Sequence, residues 1–374
     1  MRSILLVILI ILYGCCAFAQ LTLHLSIHSL PSNHPINETI YVAGTFNNWN
    51  PKDENYKFIK RTDNIYESDI KVKEKIGEYK LTRGSWAKVE CDKNGNSISN
   101  RQYNTEANNL PDIIVEGWAD LFAQKTITGT ASKNVKIVDT AFFIPQLHRK
   151  RTIRIYLPED YSISKSRYPV LYMHDGQNLF DEATSFAGEW GVDEFMDSTK
   201  IRKAIIVGID NGADRRMNEY NPYEYKDFGK GEGNAYIDFI VKSLKSYIDK
   251  NYRTLKDKSN TLIAGSSMGG LISFFAILKY PKIFGAAGVY SPSFWVAPGI
   301  FNNVKLKGKN INSKIYYFAG KQEGGNMVSD ALKMYNTMHK VSKSKMKLVI
   351  KDDGKHNEAT WRKDFPEFYK WIMN

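Results

Sequence analysis

Asn260-Thr261-Leu262-Ile263-Ala264-Gly265-Ser266-Ser267-Met268-Gly269-Gly270-Leu271 is the stretch on which the reading of this chain turns. Leu262 to Ala264 is a short apolar run of the kind that forms a buried strand. Gly265 and Gly269 then flank Ser267 in the pattern G-x-S-x-G. Leu271-Ile272-Ser273-Phe274-Phe275-Ala276-Ile277-Leu278 follows and predicts a helix. Strand, sharp turn with a central serine, then helix is the setting of a nucleophile elbow. The reason is steric: the turn strains the serine backbone, and the residues two away must be small enough to clear the strand and the helix. Only Ser267 has glycine two away on both sides, so the spacing selects it over Ser266. A glycine-rich turn between any strand and helix shares the bare pattern; the flanking elements favour the nucleophile.

Around this stretch the pattern alternates. Pro169-Val170-Leu171-Tyr172-Met173 and Ala204-Ile205-Ile206-Val207-Gly208-Ile209 read as apolar strands. Tyr236, Ile237, Phe239, Ile240, Val241, Leu244, Tyr247 and Ile248 fall at helical spacing. Phe284 to Tyr290 and Ile315 to Gly320 read as strands, Val328 to Val341 as helix, Lys347 to Ile350 as the last strand and Phe365 to Ile372 as a closing helix. Such alternation predicts an α/β fold, a mostly parallel sheet covered by helices on both faces. Functional groups in such sheets sit just past the C-terminal strand ends.

A serine hydroxyl needs a base, and the base needs an orienting group. On this kind of sheet the order along the chain is serine, acid, histidine. Two histidines follow Ser267. His339 lies in a predicted helix; His356 lies on a glycine-containing loop after the last strand and is the expected base. Glu323 is the first carboxylate after the strand ending at Gly320 and is favoured as the acid over Asp330, seven residues on. Oxyanion donors are expected from the backbone of Met268, the residue after the nucleophile, and of Gln177, in the loop His174-Asp175-Gly176-Gln177-Asn178. Trp190 and Arg216 follow strand ends and are weighed as pocket walls for an aromatic or anionic acyl group, against ordinary loop packing.

These stretches carry a resemblance. Tyr168-Pro169-Val170-Leu171-Tyr172-Met173-His174-Asp175-Gly176-Gln177-Asn178, Gly265-Ser266-Ser267-Met268-Gly269-Gly270 and Gly354-Lys355-His356-Asn357 resemble the α/β-hydrolase esterase family that includes esterase D, xylanase-linked feruloyl esterases and enterochelin esterases. The resemblance covers about Arg149 to the C-terminus. It implies serine hydrolysis of an ester with no metal or cofactor.

Ahead of this region lie short alternating runs: Leu21 to Ile27, Thr39 to Gly44, Phe58-Ile59, Ile65 to Ile70 and Gly77 to Thr82. Their spacing predicts a small all-β sandwich. Val42-Ala43-Gly44-Thr45-Phe46-Asn47-Asn48-Trp49-Asn50-Pro51, Tyr79 to Trp86 and Asn100-Arg101 resemble starch-binding carbohydrate domains, which implies an immunoglobulin-like sandwich. By that resemblance Trp49, Lys80 and Trp86 are candidate glucan contacts, with Trp86 displaced from the family position. Exposed aromatics on loops suit stacking on the C–H faces of sugars; plugging the ends of the core is the structural alternative.

The chain has 374 residues, 43% hydrophobic and 25% charged, within the ordinary range for a soluble globular protein. Met1-Arg2, the apolar run Ile4 to Leu12 and Ala17-Phe18-Ala19 predict a signal peptide over 1–19 and an exported protein. Cys15 is the rival site, for lipid anchoring, where Tyr13 fits poorly. Beyond that leader only Cys91 remains, so no internal disulfide is expected. The expected organisation is a sandwich over 20–122, a linker with leading strands over 123–148 and the hydrolase over 149–374. The net charge of +12 comes from scattered lysines without aromatic interleaving, which argues against a nucleic-acid partner. The two resemblances together imply an ester on a carbohydrate or related natural product as the substrate, with a siderophore ester as the alternative.

Overall fold

The computed structural model describes residues 21–374 except Asn48, 63–64, Lys73, Ser99, 107–111, 123–127, Ala187 and 226–228. The leader over 1–19, with Cys15, lies outside the described residues. The chain divides into two compact units, Met1–Gln124 and Lys125–Asn374.

The first unit is β-rich. Its strands are β1 (Leu21–Ser29), β2 (Tyr41–Gly44), β3 (Ile59–Thr62), β4 (Ile65–Val72), β5 (Ile76–Thr82), β6 (Glu90–Cys91), β7 (Arg101–Asn104), β8 (Ile113–Ile114) and β9 (Gly117–Trp118). They form sheets ordered β3-β4-β1-β8, β2-β5-β7 and β6-β9. Alternation along β1 turns Leu23, Leu25 and Ile27 into one core with Val42, Ile70, Leu81 and Trp118, while His24 faces out. Asn47 pins the turn after β2, its amide donating to the Val42 carbonyl and its oxygen accepting from Gly44 N–H, each at 2.8 Å. Cys91 is buried and unpaired, and burial pushes its thiol up to about 11.

The second unit is built on one sheet of eight strands. These are β10 (Val135–Ile144), β11 (Arg149–Tyr156), β12 (Val170–His174), β13 (Ile205–Ile209), β14 (Thr261–Ser266), β15 (Ala286–Tyr290), β16 (Lys314–Gly320) and β17 (Lys345–Lys351). Their order is β10-β11-β13-β12-β14-β15-β16-β17. The two pairings at the β10 edge are antiparallel and the rest are parallel. The helices are α1 (Val192–Ser198), α2 (Arg216–Glu219), α3 (Gly233–Phe239), α4 (Lys245–Asn251), α5 (Met268–Lys279), α6 (Gly299–Lys307), α7 (Met327–Val341) and α8 (Glu358–Met373). Alternate residues of one strand feed two different cores. Val170 and Tyr172 pack with α3, α4 and α5, whereas Leu171 and Met173 pack with α1 and α8. Both faces being dry, the strands are continuous apolar runs, as the sequence pattern predicts. No helix of the described residues is long and apolar enough to cross a membrane.

Helix α8 begins seven residues before the predicted Phe365. Asn357 caps it, its side chain accepting from Thr360 N–H at 3.0 Å. The buried stripe is Trp361, Asp364, Phe365, Phe368, Tyr369 and Ile372. A carboxylate inside that stripe hid the periodicity. Asp364 is buried, accepts from the Tyr316 hydroxyl at 3.2 Å, and burial pushes it up to about 6.

Candidate active site

From Thr261 to Leu278 every residue is buried except Ser267. The serine sits between β14 and α5 with φ 59° and ψ −121°. A non-glycine residue in this region carries strain of about 1–3 kcal/mol and persists only where its neighbours hold it. Ser267 N–H donates to the Tyr290 carbonyl at 2.9 Å, and the Ser267 carbonyl accepts from Leu271 N–H and Ser293 N–H, both at 3.1 Å. The flanking glycines are required by contact. A Cβ on Gly265 would lie 2.9 Å from the Gly269 carbonyl carbon and 3.0 Å from its Cα.

His356 lies between β17 and α8. Its Nδ1 is 2.8 Å from Glu323 Oε2. Glu323 lies in the turn after β16, with its side chain buried. Its other oxygen, Oε1, accepts from Gly320 N–H at 2.6 Å and from the Ser291 hydroxyl at 2.7 Å. Asp330, the other carboxylate weighed, is the fourth residue of α7 and has no contact with His356 among the described residues. His339 is in the same helix. The hydroxyl of Ser267 is partnered, among the described residues, by Ser293 Oγ at 3.3 Å rather than by His356. Nucleophile–base contacts are often long without substrate and close on binding.

Met268 opens α5, so its N–H has no intrahelical acceptor and carries the positive end of the helix. Gln177 lies in the turn Gly176–Asn178 after β12. That turn rests on the first turn of α5, because a Cβ on Gly269 would meet His174 Cβ at 3.2 Å and Asp175 Oδ2 at 3.3 Å. Its own glycine is packed on the sheet: a Cβ on Gly176 would be 2.7 Å from the backbone of Gly208 and Ile209. The Gln177 side-chain oxygen accepts from Asn211 N–H at 3.1 Å and its carbonyl from the Thr184 hydroxyl at 2.8 Å. Asp175 has φ 55°; burial opposes its charge, but the Arg216 guanidinium beside it holds the carboxyl below its usual value. Burial pushes His174 down to about 3, which favours its neutral ring.

Two expectations change. Trp190 is not a pocket wall: its ring is 3% exposed, stacked 5.6 Å from Trp361 and edge-on to Tyr290. Arg216 is committed within the protein, its Nε and Nη2 reaching the two oxygens of Asp175 at 2.7 and 2.9 Å. Its guanidinium also lies over the Tyr220 ring. In the first unit, Trp49 and Trp86 come together, ring centroids 6.2 Å apart and both partly exposed. Lys80 Nζ donates to the Ile98 carbonyl at 2.6 Å, and burial lowers its pKa.

Sequence reading missed three groups. Ser291 bridges Glu323 and the Trp361 indole N–H, which donates to its hydroxyl at 3.0 Å; Trp361 also lies edge-on to the His356 ring at 5.1 Å. Ser293 meets the nucleophile. The available signal was position: Ser291-Pro292-Ser293 directly follows β15, the neighbour of the serine strand. Glu358 also escaped notice. Its Oε1 accepts from Asn178 Nδ2 at 3.1 Å, and burial pushes it up to about 7. Ser291→Ala is expected to destabilise the second unit by about 1–3 kcal/mol, because the buried indole N–H loses its acceptor. A lower denaturant midpoint at unchanged slope checks this; an unchanged midpoint contradicts it.

A strained serine elbow at the C-terminal end of a strand in a mostly parallel sheet, with a histidine paired to a buried carboxylate past later strands of the same sheet, defines an α/β hydrolase. The Esterase family matches residues 144–372, more than half of the chain, and the protein belongs to that family. It is a serine carboxylic-ester hydrolase. The chain is 26% identical over 238 residues to protein YbbA of Bacillus subtilis, covering 59% of this chain and 92% of that one. It is 26% identical over 238 residues to an endo-1,4-beta-xylanase/feruloyl esterase of Xylanibacter ruminicola, covering 61% of this chain and 30% of that one. The enterobactin esterase FES of Shigella flexneri shares the fold with a TM-score of 0.54 at 14% identity, covering 95% of this chain and 92% of that one.

Proposed function

We propose that the protein is an exported esterase that removes feruloyl- or acetyl-type acyl groups from a carbohydrate or related natural product. The observation that carries the hydrolytic part is the hydrogen bond that holds His356 on buried Glu323, on the same sheet whose elbow strains and exposes Ser267. Ser267 Oγ turns from Ser293 toward His356 and attacks the ester carbonyl as His356 Nε2 takes its proton. The tetrahedral oxyanion is held by the N–H groups of Met268 and Gln177. Collapse breaks the acyl–oxygen bond, and His356 returns the proton to the departing alcohol. Water, deprotonated by the same histidine, then releases the acid and frees Ser267. Glu323 holds the Nδ1–H tautomer and faces the imidazolium.

Likeness over 238 residues to an endo-1,4-beta-xylanase/feruloyl esterase supports a carbohydrate ester, and the paired Trp49 and Trp86 rings support glucan contact by the first unit. An ester panel of feruloyl, acetyl, short acyl and catecholate-siderophore substrates tests the reading; preference for the siderophore would transfer it to that class. Soluble-glucan affinity electrophoresis tests the first unit. Retardation of the wild-type protein, abolished in Trp49→Ala, is expected. Equal mobility with and without glucan would remove the carbohydrate role.

A further inference from the structure

Three loops that follow C-terminal strand ends of the second unit, two of them on strands flanking the serine strand, carry aromatic rings. Strands β12 and β15 lie on either side of β14 in the sheet, so the loops after them flank Ser267. The loop after β12 carries Phe186, 76% exposed, and its N–H donates to Asn178 Oδ1 at 3.1 Å, within the turn that holds Gln177. The loop after β15 carries Trp295, 45% exposed, between Phe294 and Val296, which are fully buried. Trp295 lies two residues beyond Ser293, whose hydroxyl is 3.3 Å from Ser267 Oγ. The third ring is Tyr225, from the loop after β13, edge-on to Trp295 at 6.3 Å. Buried Asn221 ties that loop to the Trp295 turn, donating to the Val296 carbonyl at 3.3 Å.

Large aromatic side chains held in water beside a polar reaction centre are not explained by the core, since each neighbour of Trp295 already fills it. An acetyl group has no ring face to stack on them. A planar aromatic acid joined to its ester carbonyl offers a ring that can stack on an indole or meet a phenyl edge. We propose that Trp295 and Phe186 form an aryl-binding rim that selects esters of planar aromatic acids over small aliphatic ones. This rests on the esterase reading and deepens it: the rim decides between the feruloyl and acetyl classes.

The test compares methyl ferulate with methyl butyrate on wild type, Trp295→Ala, Trp295→Phe and Phe186→Ala. Wild type is expected to favour methyl ferulate. Trp295→Ala should raise its KM about tenfold with kcat within about twofold, as the loss of one aromatic contact implies. Its kinetics on methyl butyrate should stay unchanged, and Trp295→Phe should retain most of the preference. Equal effects on both esters, or none on either, would overturn the rim. A wild type inactive on both esters would sink the hydrolytic reading alone. Equilibrium dialysis of ferulate on Ser267→Ala then still decides the rim. Affinity about tenfold weaker when Trp295→Ala is added supports it; unchanged affinity refutes it.

Discussion

Replacing Ser267 by alanine is expected to lower kcat for every ester the protein hydrolyses by about 10⁴- to 10⁶-fold, as loss of a serine nucleophile does in related chemistry. The fold should survive. Alanine keeps the backbone geometry, and the side chain gives up one contact, the 3.3 Å approach to Ser293. The three backbone hydrogen bonds that hold the elbow are untouched. Ser267→Gly should be equally inactive and more stable by about 1 kcal/mol, since glycine adopts φ 59° without the strain of a Cβ. Initial rates on a chromogenic ester and a thermal scan check both expectations. Activity of the alanine variant above about a hundredth of wild type would end the nucleophile assignment.

Glu323→Gln is the second large effect. Glu323 Oε1 accepts from two donors, Gly320 N–H and the Ser291 hydroxyl. A glutamine in the same site must keep its carbonyl oxygen there, because an amide NH₂ would meet both donors head-on. Its NH₂ is then turned to the place of Oε2, 2.8 Å from His356 Nδ1. A donor at that place favours the tautomer with Nδ1 bare and Nε2 protonated. Such a histidine cannot take the serine proton. The expected loss in kcat is on the order of 10³- to 10⁴-fold, with KM little changed and the structure retained. Asp330→Asn should leave kcat within about twofold, as Asp330 has no contact with His356 among the described residues. The reverse ranking of the two variants, measured side by side, would move the acid to Asp330.

Much of this site was legible because its parts obey local rules. The strand–glycine–serine–glycine–helix pattern contains its own steric reason, and the hypothetical Cβ contacts between Gly265 and Gly269 express that reason in ångströms. The position of His356 beyond the last strand followed from the order of elements. Glu323 was the first carboxylate past its strand, and the structure sets it against the imidazole. What stayed hidden depends on groups far apart in the chain. Ser291 touches Glu323 and Trp361, which lie 32 and 70 residues away. Trp361 was obscured further because Asp364 breaks the apolar stripe of α8. Trp190 looked like a loop aromatic beside a strand end, yet it stacks on Trp361 inside the core.

The sequence by itself determined the alternation of strands and helices, the serine at the elbow and the order of nucleophile, carboxylate and histidine. Each of these depends on residue spacing within one element or on the succession of elements. The tertiary structure decided which carboxylate meets the histidine, that Ser293 partners the resting nucleophile, and that Arg216 serves Asp175. It also separated the buried Trp190 from the exposed Trp295 and Phe186. Those outcomes turn on packing between strands brought side by side by the fold, and no local pattern encodes which loop side chains end in the core and which stay in water.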